Sequence, residues 1–506
     1  MQVWKLVPLV ALLAGACATT PADAPTDTAQ TPEAAEPVKA MPTRVAYNPD
    51  PYPSTYKPLP SDDVLIRNAT VFDGLGGEIL AGAVLIQGGK ITAVGSEAAM
   101  TMPAGIRTID GTGRFVTPGI IDIHSHLGVY PSPGISAHQD GNEVSGPVTA
   151  EVWAEHAIWP HDPGFTRAMA GGITAMQILP GSANLFGGRG VIIKNVPART
   201  AQGMKFPDAP YTLKMACGEN PKRVYGYGGG RFPGSAPFSR MGNIAGYREA
   251  WQRATEYKRK WEKYNADFDA WEKKTKSPAE KTDDKGPGDP PNAPDRNLEL
   301  DTLMGVLNGD ILVQHHCYRA DEMAQVIDLS HEFGYKVSAF HHGVEAYKIA
   351  DLLAKEGICG ALWADWWGFK AEAYDGIREN IPMVHNAANG CAIVHSDDAN
   401  GIQRLNQEAA KALGDGARAG INISKAVAWT WLSRNPAKAL GILDKTGTLE
   451  AGKAADVVIW SGDPFSVYTR ADLVFVDGAI TWDRNDPSRR PVVDFELGQP
   501  GEGDVK

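Results

Sequence analysis

The sequence predicts an α/β fold: a (β/α)8 TIM-like barrel with a small β-sandwich domain formed from both flanking chain segments. Three observations carry that prediction. Apolar runs at 120–124, 175–179, 212–217, 311–314, 337–340, 358–363 and 392–394 alternate with helical patterns, as in a parallel sheet whose strands are joined through helices. Segments 64–73 and 83–94 before these runs, and 456–460 and 473–481 after them, share a β-rich texture that suits one shared sheet domain. The 506 residues, 43% hydrophobic and 22% charged, leave room for one large unit and a smaller one with a sizeable core.

Taken in chain order, residues 1–17 hold a lysine near the start, a short apolar run and Ala14-Gly15-Ala16-Cys17, the pattern of an export signal. The run is shorter than the roughly 20 residues needed to cross a bilayer. Small residues leading into a cysteine resemble a lipoprotein signal, with Ala14 where leucine is usual. Lipidation of Cys17 is therefore expected, with plain cleavage as the alternative, and Ala18 after it favours outer-membrane sorting by analogy. The expected location is the periplasm, on the outer membrane. Residues 18–60, rich in Ala, Thr, Pro and acids, read as a disordered tether. The two sandwich parts are expected at 61–116 and 441–490, the barrel at 117–440, and a tail at 491–506.

Inside the barrel, Tyr257, Trp261, Tyr264, Phe268 and Trp271 recur at spacings of four and three, the stripe of a long helix opening an insertion at 248–295. The stripe is expected to pack on the barrel and the Pro- and Gly-rich part after it to form a loop. Gly187-Gly-Arg-Gly190 lacks the ending of a phosphate-binding loop and reads as a tight loop over the barrel mouth. Cys217, Cys317, Cys359 and Cys391 match no metal or redox spacing and read as buried small hydrophobes, with three pairings open. A net charge of −11 argues against nucleic acid as a partner.

The chemistry is expected at strand ends. Ile120-Ile-Asp-Ile-His-Ser-His126 puts two imidazoles on one face of a strand, where neutral rings suit zinc. His315 and His316, His341 and His342, and Asp397 likewise follow apolar runs, the position barrels reserve for catalytic groups. Strand alternation would let only one histidine of each pair face inward. His138, His156 and His161 read as surface histidines, and His395 as a neighbour that could assist Asp397 but is not needed for it.

Thr117-Pro-Gly-Ile-Ile-Asp-Ile-His-Ser-His126 and Gly447-Thr-Leu-Glu-Ala-Gly-Lys-Ala-Ala-Asp-Val-Val-Ile459 resemble the first barrel strand and the closing β segment of the amidohydrolase superfamily. Gly218-Glu-Asn-Pro-Lys-Arg-Val-Tyr225 and His342-Gly-Val-Glu-Ala-Tyr347 are most similar to its imidazolonepropionase-like and prolidase-like branch. The resemblance implies one or two divalent ions, zinc for preference, held by His124, His126, His316, His342 and Asp397, with Asp397 also the proton-transfer group. His316 is chosen because Arg319-Ala-Asp-Glu follows it as in the branch, and His342 because the branch has His-Gly there. A bridging ligand is expected from Glu219 at a strand end, or alternatively from a carboxylated Lys214. Lys222 and Arg223 are candidates for a substrate carboxylate, or simply a surface turn after Pro221.

The activity so implied is metal-dependent cleavage of an amide C–N bond in a small molecule or short peptide, such as a dipeptide or acylated amino acid. Ring opening of a cyclic amide is the enzymatic alternative, and a non-catalytic envelope binding protein the alternative of another class. The membrane enters only through the N-terminal lipid, and a homo-oligomer is left open.

Overall fold

The structure, a computed structural model, describes residues 42–100, 103–227, 237–276 and 288–489. The expected signal with Cys17, the tether up to residue 41, residues 277–287 of the insertion and the tail at 491–506 lie outside the described residues. The architecture is that of the unit that begins at Val45.

Before the barrel the chain forms β1 (Val64–Phe72), β2 (Glu78–Gln87), β3 (Lys90–Ser96), β4 (Arg107–Asp110) and β5 (Phe115–Pro118). The barrel strands are β6 (Ile120–Ser125), β7 (Ile173–Ile178), β8 (Phe186–Lys194), β9 (Tyr211–Ala216), β10 (Ile311–Cys317), β11 (Val337–His342), β12 (Cys359–Leu362) and β13 (Ala392–Val394). After it come β14 (Val457–Trp460), β15 (Ala471–Val476) and β16 (Ala479–Asp483).

The barrel sheet is eight-stranded and runs in chain order from β6 to β13. All seven expected runs appear as strands, and their interiors are buried because helices cover one face and the barrel core the other. The eighth, β8, is antiparallel to both neighbours, pairing Ala175 with Lys194 and Phe186 with Met215. Residues 179–185 are too few for a helical crossover, so the chain turns straight back from β7. This corrects the reading of Gly187–Gly190 as a loop: they lie in buried β8. A Cβ on Gly188, at φ +110°, would sit 2.3 Å from the Val152 carbonyl oxygen, and one on Gly190 2.5 Å from Thr212 Oγ1. Close neighbours, not a phosphate, require these glycines. Between β13 and β6 the ring is joined at its upper edge, where Asp397 N donates to His124 O at 3.0 Å and Ser396 N to Asp122 Oδ1 at 3.2 Å.

Both flanks build one second eight-stranded sheet, in the order β16-β15-β14-β5-β1-β2-β3 with β4 beside β1. Its alternating apolar residues, Val64, Ile66, Val84, Ile86, Val457, Ile459 and Phe475, share one core. Trp460 and Trp429 seal its seam with the barrel, their ring centroids 5.7 Å apart. Their indole N–H groups donate to Thr117 Oγ1 at 2.9 Å and Pro118 O at 3.2 Å.

The insertion helix spans Arg240–Lys276, and its aromatic stripe is buried against Met304, Leu300, Ala293 and Tyr47. Tyr47 belongs to the expected tether, whose end is therefore no tether. Val45 N donates to Tyr264 Oη at 2.9 Å, Arg189 Nη1 to Pro49 O at 2.7 Å, and Lys205 Nζ to Asp50 Oδ1 at 2.8 Å. A polar, proline-rich segment is held by others' side chains, a source of order that its own composition does not reveal. The four cysteines form two disulfides, Cys217–Cys317 and Cys359–Cys391, rather than standing as free hydrophobes. Each joins neighbouring strands, β9 to β10 and the start of β12 to the start of β13. Among the described residues no helix is long and apolar enough to cross a membrane.

Candidate metal centre

The ends of β6, β11 and β13 aim their side chains at one point. His124 Nε2 lies 3.3 Å from His126 Nε2 and 3.3 Å from Asp397 Oδ1, and His126 Nε2 is 3.1 Å from that same oxygen. The other ring nitrogens are tied back. His126 Nδ1 stands 2.8 Å from the Leu179 carbonyl oxygen, which can only accept, so Nδ1 carries the proton and Nε2 presents its lone pair. His124 Nδ1 meets His341 Nδ1 at 2.9 Å, and His341 Nε2 meets Gln314 Oε1 at 2.8 Å.

His342 joins from β11, its Nε2 3.9 Å from Asp397 Oδ2, and its ring packs against His316 at 4.6 Å. His315 points away toward Tyr247, at 5.8 Å, with Nδ1 3.1 Å from the His316 carbonyl oxygen. In the 341–342 pair, however, both histidines reach His124, contrary to the expectation from alternation. His342 sits at φ +72°, outside the strand conformation, and this turns its side chain back toward the centre. Asp397 has φ +51°, so two of the converging groups occupy left-handed backbone positions. Such outliers gather where a surrounding structure enforces them.

Glu219 is not brought to this cluster. It opens a short turn beyond the end of β9, its backbone N donating to Glu372 Oε2 at 2.8 Å, and it lines a pocket of about 570 Å³ at the mouth with Lys222, Arg240 and Glu372. Lys214 is brought there instead: it is fully buried, its Nζ 3.3 Å from His124 Nε2 and 3.2 Å from Pro180 O. The expectation that ligands sit at strand ends overlooked the lysine stem, which carries the amine from mid-strand to the height of the shorter side chains. Lys222 is half-buried and Arg223 exposed, and neither ion-pairs with a carboxylate among the described residues. His395 is a residue that sequence reasoning undervalued. It is buried, stacked on His124 at 5.1 Å, and able to share an ion with His124 and His342. Its signal was its place one residue after a buried run, beside Asp397.

Electrostatics keep these groups in ligand form. Burial pushes His124, His316, His341 and His342 well below the usual imidazole range, and His395 down to about 3, so the rings are neutral. Burial would raise Asp397, but the neighbouring His126, His395 and Lys214 outweigh it and hold the carboxyl below its usual range. Burial lowers Lys214 to about 8. Asp122, raised to about 7 by burial, accepts from Ser396 and from His124 N at 3.2 Å and so fixes both strand ends.

Both ring nitrogens of His316 and His395 and Nδ1 of His342 are buried without a hydrogen-bond partner. Buried polar atoms are rarely left so unless something else binds them. Neutral imidazoles and a carboxylate fit a borderline divalent ion such as zinc.

The sequence profile of the Amidohydrolase family matches residues 306–482. An amidohydrolase of known structure from Thermotoga maritima MSB8 is 32% identical, covers 83% of this chain and 100% of its own, and superposes with a TM-score of 0.70. Amidohydrolase tasK of Hapsidospora irregularis is 31% identical over 83% of this chain, which spans 43% of that protein's length. An imidazolonepropionase from Mesorhizobium japonicum is 26% identical over 78% of this chain and 90% of its own. The barrel, the converging strand ends and these likenesses agree: the chain belongs to the amidohydrolase superfamily.

Proposed function

We propose that the protein is a metal-dependent hydrolase that cleaves an amide C–N bond in a dipeptide or an acylated amino acid. The observation that carries this reading is the convergence of His124 Nε2, His126 Nε2 and Asp397 Oδ1 within 3.3 Å of one another, with Lys214 Nζ 3.3 Å from His124 Nε2. His124, His126, Asp397 and a carboxylated Lys214 would hold one ion, and His316 and His342, with His395 beside them, would hold a second. A divalent ion bound there activates water near neutral pH and polarises a carbonyl. The chain's own groups do the rest. Asp397, held ionised, takes a proton and returns it to the departing amine. His341 and the Leu179 carbonyl fix the tautomers of His124 and His126. Trp363, stacked on His342 at 4.2 Å, shields the cluster from bulk water.

Export is part of the proposal, and Cys217–Cys317 and Cys359–Cys391 support it, since such bonds persist in oxidising compartments. Lipid attachment at Cys17 would tether the barrel to the outer membrane. The flanking sheet, read as a small β-sandwich, serves as its structural base. The likeness to an imidazolonepropionase favours ring opening of a cyclic amide as the second reading.

A panel of dipeptides, N-acyl amino acids and lactam-type rings separates the two. Release of free amine from the linear substrates, abolished by a chelator and restored by zinc, is expected. Turnover confined to the rings would replace the first reading with the second, and inertness toward the whole panel would contradict both.

A further inference from the structure

His124 turns Nε2 toward the cluster, and what makes that nitrogen a ligand lies deeper in the barrel. The ring's other nitrogen meets neither a carboxylate nor a carbonyl but a second imidazole, that of His341, with Nδ1 to Nδ1 at 2.9 Å. A neutral imidazole carries one proton, on either nitrogen, so this contact can be made in two ways. If His124 Nδ1 donates, its Nε2 keeps a lone pair and can bind an ion. If His341 Nδ1 donates, the His124 proton sits on Nε2 and closes the ligand. The two rings by themselves do not choose.

The groups behind them do. His341 Nε2 stands 2.8 Å from Gln314 Oε1, an oxygen that only accepts, so the His341 proton belongs on Nε2 and its Nδ1 must accept. The amide is held that way round because Gln314 Nε2 donates to the Ala439 carbonyl oxygen at 3.3 Å, and a flip would set two oxygens against each other. His124, His341 and Gln314 are each 0% exposed, so bulk water offers none of them a substitute partner. The hydrogen bonds therefore all point one way, from His124 through His341 and Gln314 to a backbone carbonyl, away from the metal centre. His126 reaches the same end in one step, through Leu179 O at 2.8 Å.

We propose that Gln314, which lies outside the ligand cluster, sets the tautomer of His124 through His341 and thereby decides how tightly the first ion is held. This rests on the reading of the cluster as a metal centre. Gln314 and His341 are positioning residues: the partner of a ligating imidazole's second nitrogen orients the ring, and its loss costs about 10- to 100-fold in metal affinity. Leucine at position 314 leaves His341 Nε2 without an acceptor, and both rings can then exchange tautomers. Glutamate keeps an oxygen toward His341 and, when protonated, a hydroxyl toward Ala439 O, so the direction survives.

The test uses the full chain stripped of metal, as wild type, Gln314→Leu and Gln314→Glu, and reads zinc affinity by competition with a chromophoric chelator. Gln314→Leu should weaken zinc about 10- to 100-fold, while Gln314→Glu stays within about threefold of the wild type. Equal weakening by both variants would make Gln314 a packing residue only, and unchanged affinity in Gln314→Leu would leave it no part in the site; either result overturns the relay. Proton–nitrogen correlation NMR of the wild type, isotope-labelled at histidine nitrogen and assigned with His124→Gln and His341→Gln, reads the tautomers directly. Protons on His124 Nδ1 and His341 Nε2 are expected, and the reverse in either ring overturns the relay even if Gln314→Leu does not fold. Turnover enters neither readout, so failure to cleave any substrate leaves the relay standing or falling on these results. A wild type that binds no zinc would end the metal reading, and the tautomers would still decide the relay.

Discussion

Two lysines on adjacent barrel strands are both buried and keep opposite company. Lys194, ending β8, is 3% exposed, with Nζ 2.7 Å from Asp477 Oδ1 and 3.4 Å from both oxygens of Asp456. Asp456 is further satisfied by Thr446 Oγ1 at 2.7 Å and Asp477 N at 3.0 Å. Lys214, in the middle of β9, has a carbonyl oxygen and an imidazole within reach but hydrogen-bonds no carboxylate among the described residues. The first lysine fastens the barrel to the flanking sheet, because Asp456 and Asp477 belong to that sheet's segment. The second is left incomplete at the site where several histidine nitrogens also lack partners. A buried charge with a full set of partners holds a fold together, and one without them marks a place where something else binds.

Substitutions sharpen or break this contrast. The largest effect is expected at the mouth: Asp397→Asn should lower turnover by about 10²–10⁴-fold, the usual worth of a general acid–base group, while the melting temperature stays close to that of the wild type. Near-native rates would remove Asp397 from the chemistry. At the base, Lys194→Met strands the buried Asp456 and the half-buried Asp477 and should cost about 3–5 kcal/mol in denaturant unfolding, with kcat per folded molecule retained. Lys214→Met should do the reverse, changing stability by about 1 kcal/mol or less in either direction while reducing bound metal and turnover by about tenfold or more. Equal destabilisation by the two methionines would erase the distinction between them. The smallest effect is expected for His315→Gln, whose ring faces Tyr247 and not the cluster, so activity should stay within about twofold. A loss matching that of His316→Ala would reverse the assignment of the pair.

The seven parallel strands were legible because a strand covered on both faces must be apolar throughout. β8 was not, since its glycines are set by the neighbours of the folded chain, Val152 and Thr212, which no local pattern announces. His124, His126 and Asp397 were legible as candidates from strand ends, and His316 is preferred over His315 through the family resemblance of the Arg319-Ala-Asp-Glu that follows it. Lys214 over Glu219 was a matter of side-chain reach, and the joint arrival of His341 and His342 a matter of one positive φ. Neither quantity is written in residue spacing. Cysteine spacing likewise left three pairings open until the barrel set Cys217 beside Cys317 and Cys359 beside Cys391. The strap from Val45 was hidden for a related reason: its order comes from Tyr264, Arg189 and Lys205, not from itself.

Elemental analysis of the chain purified without added metal, beside a His124→Ala/His126→Ala double variant that still folds, tests the central claim most directly. About one or two equivalents of zinc or a similar divalent ion in the wild type, lost in the variant, is the predicted result. A wild type that stays free of metal after reconstitution, or a variant that binds as much as the wild type, would contradict it.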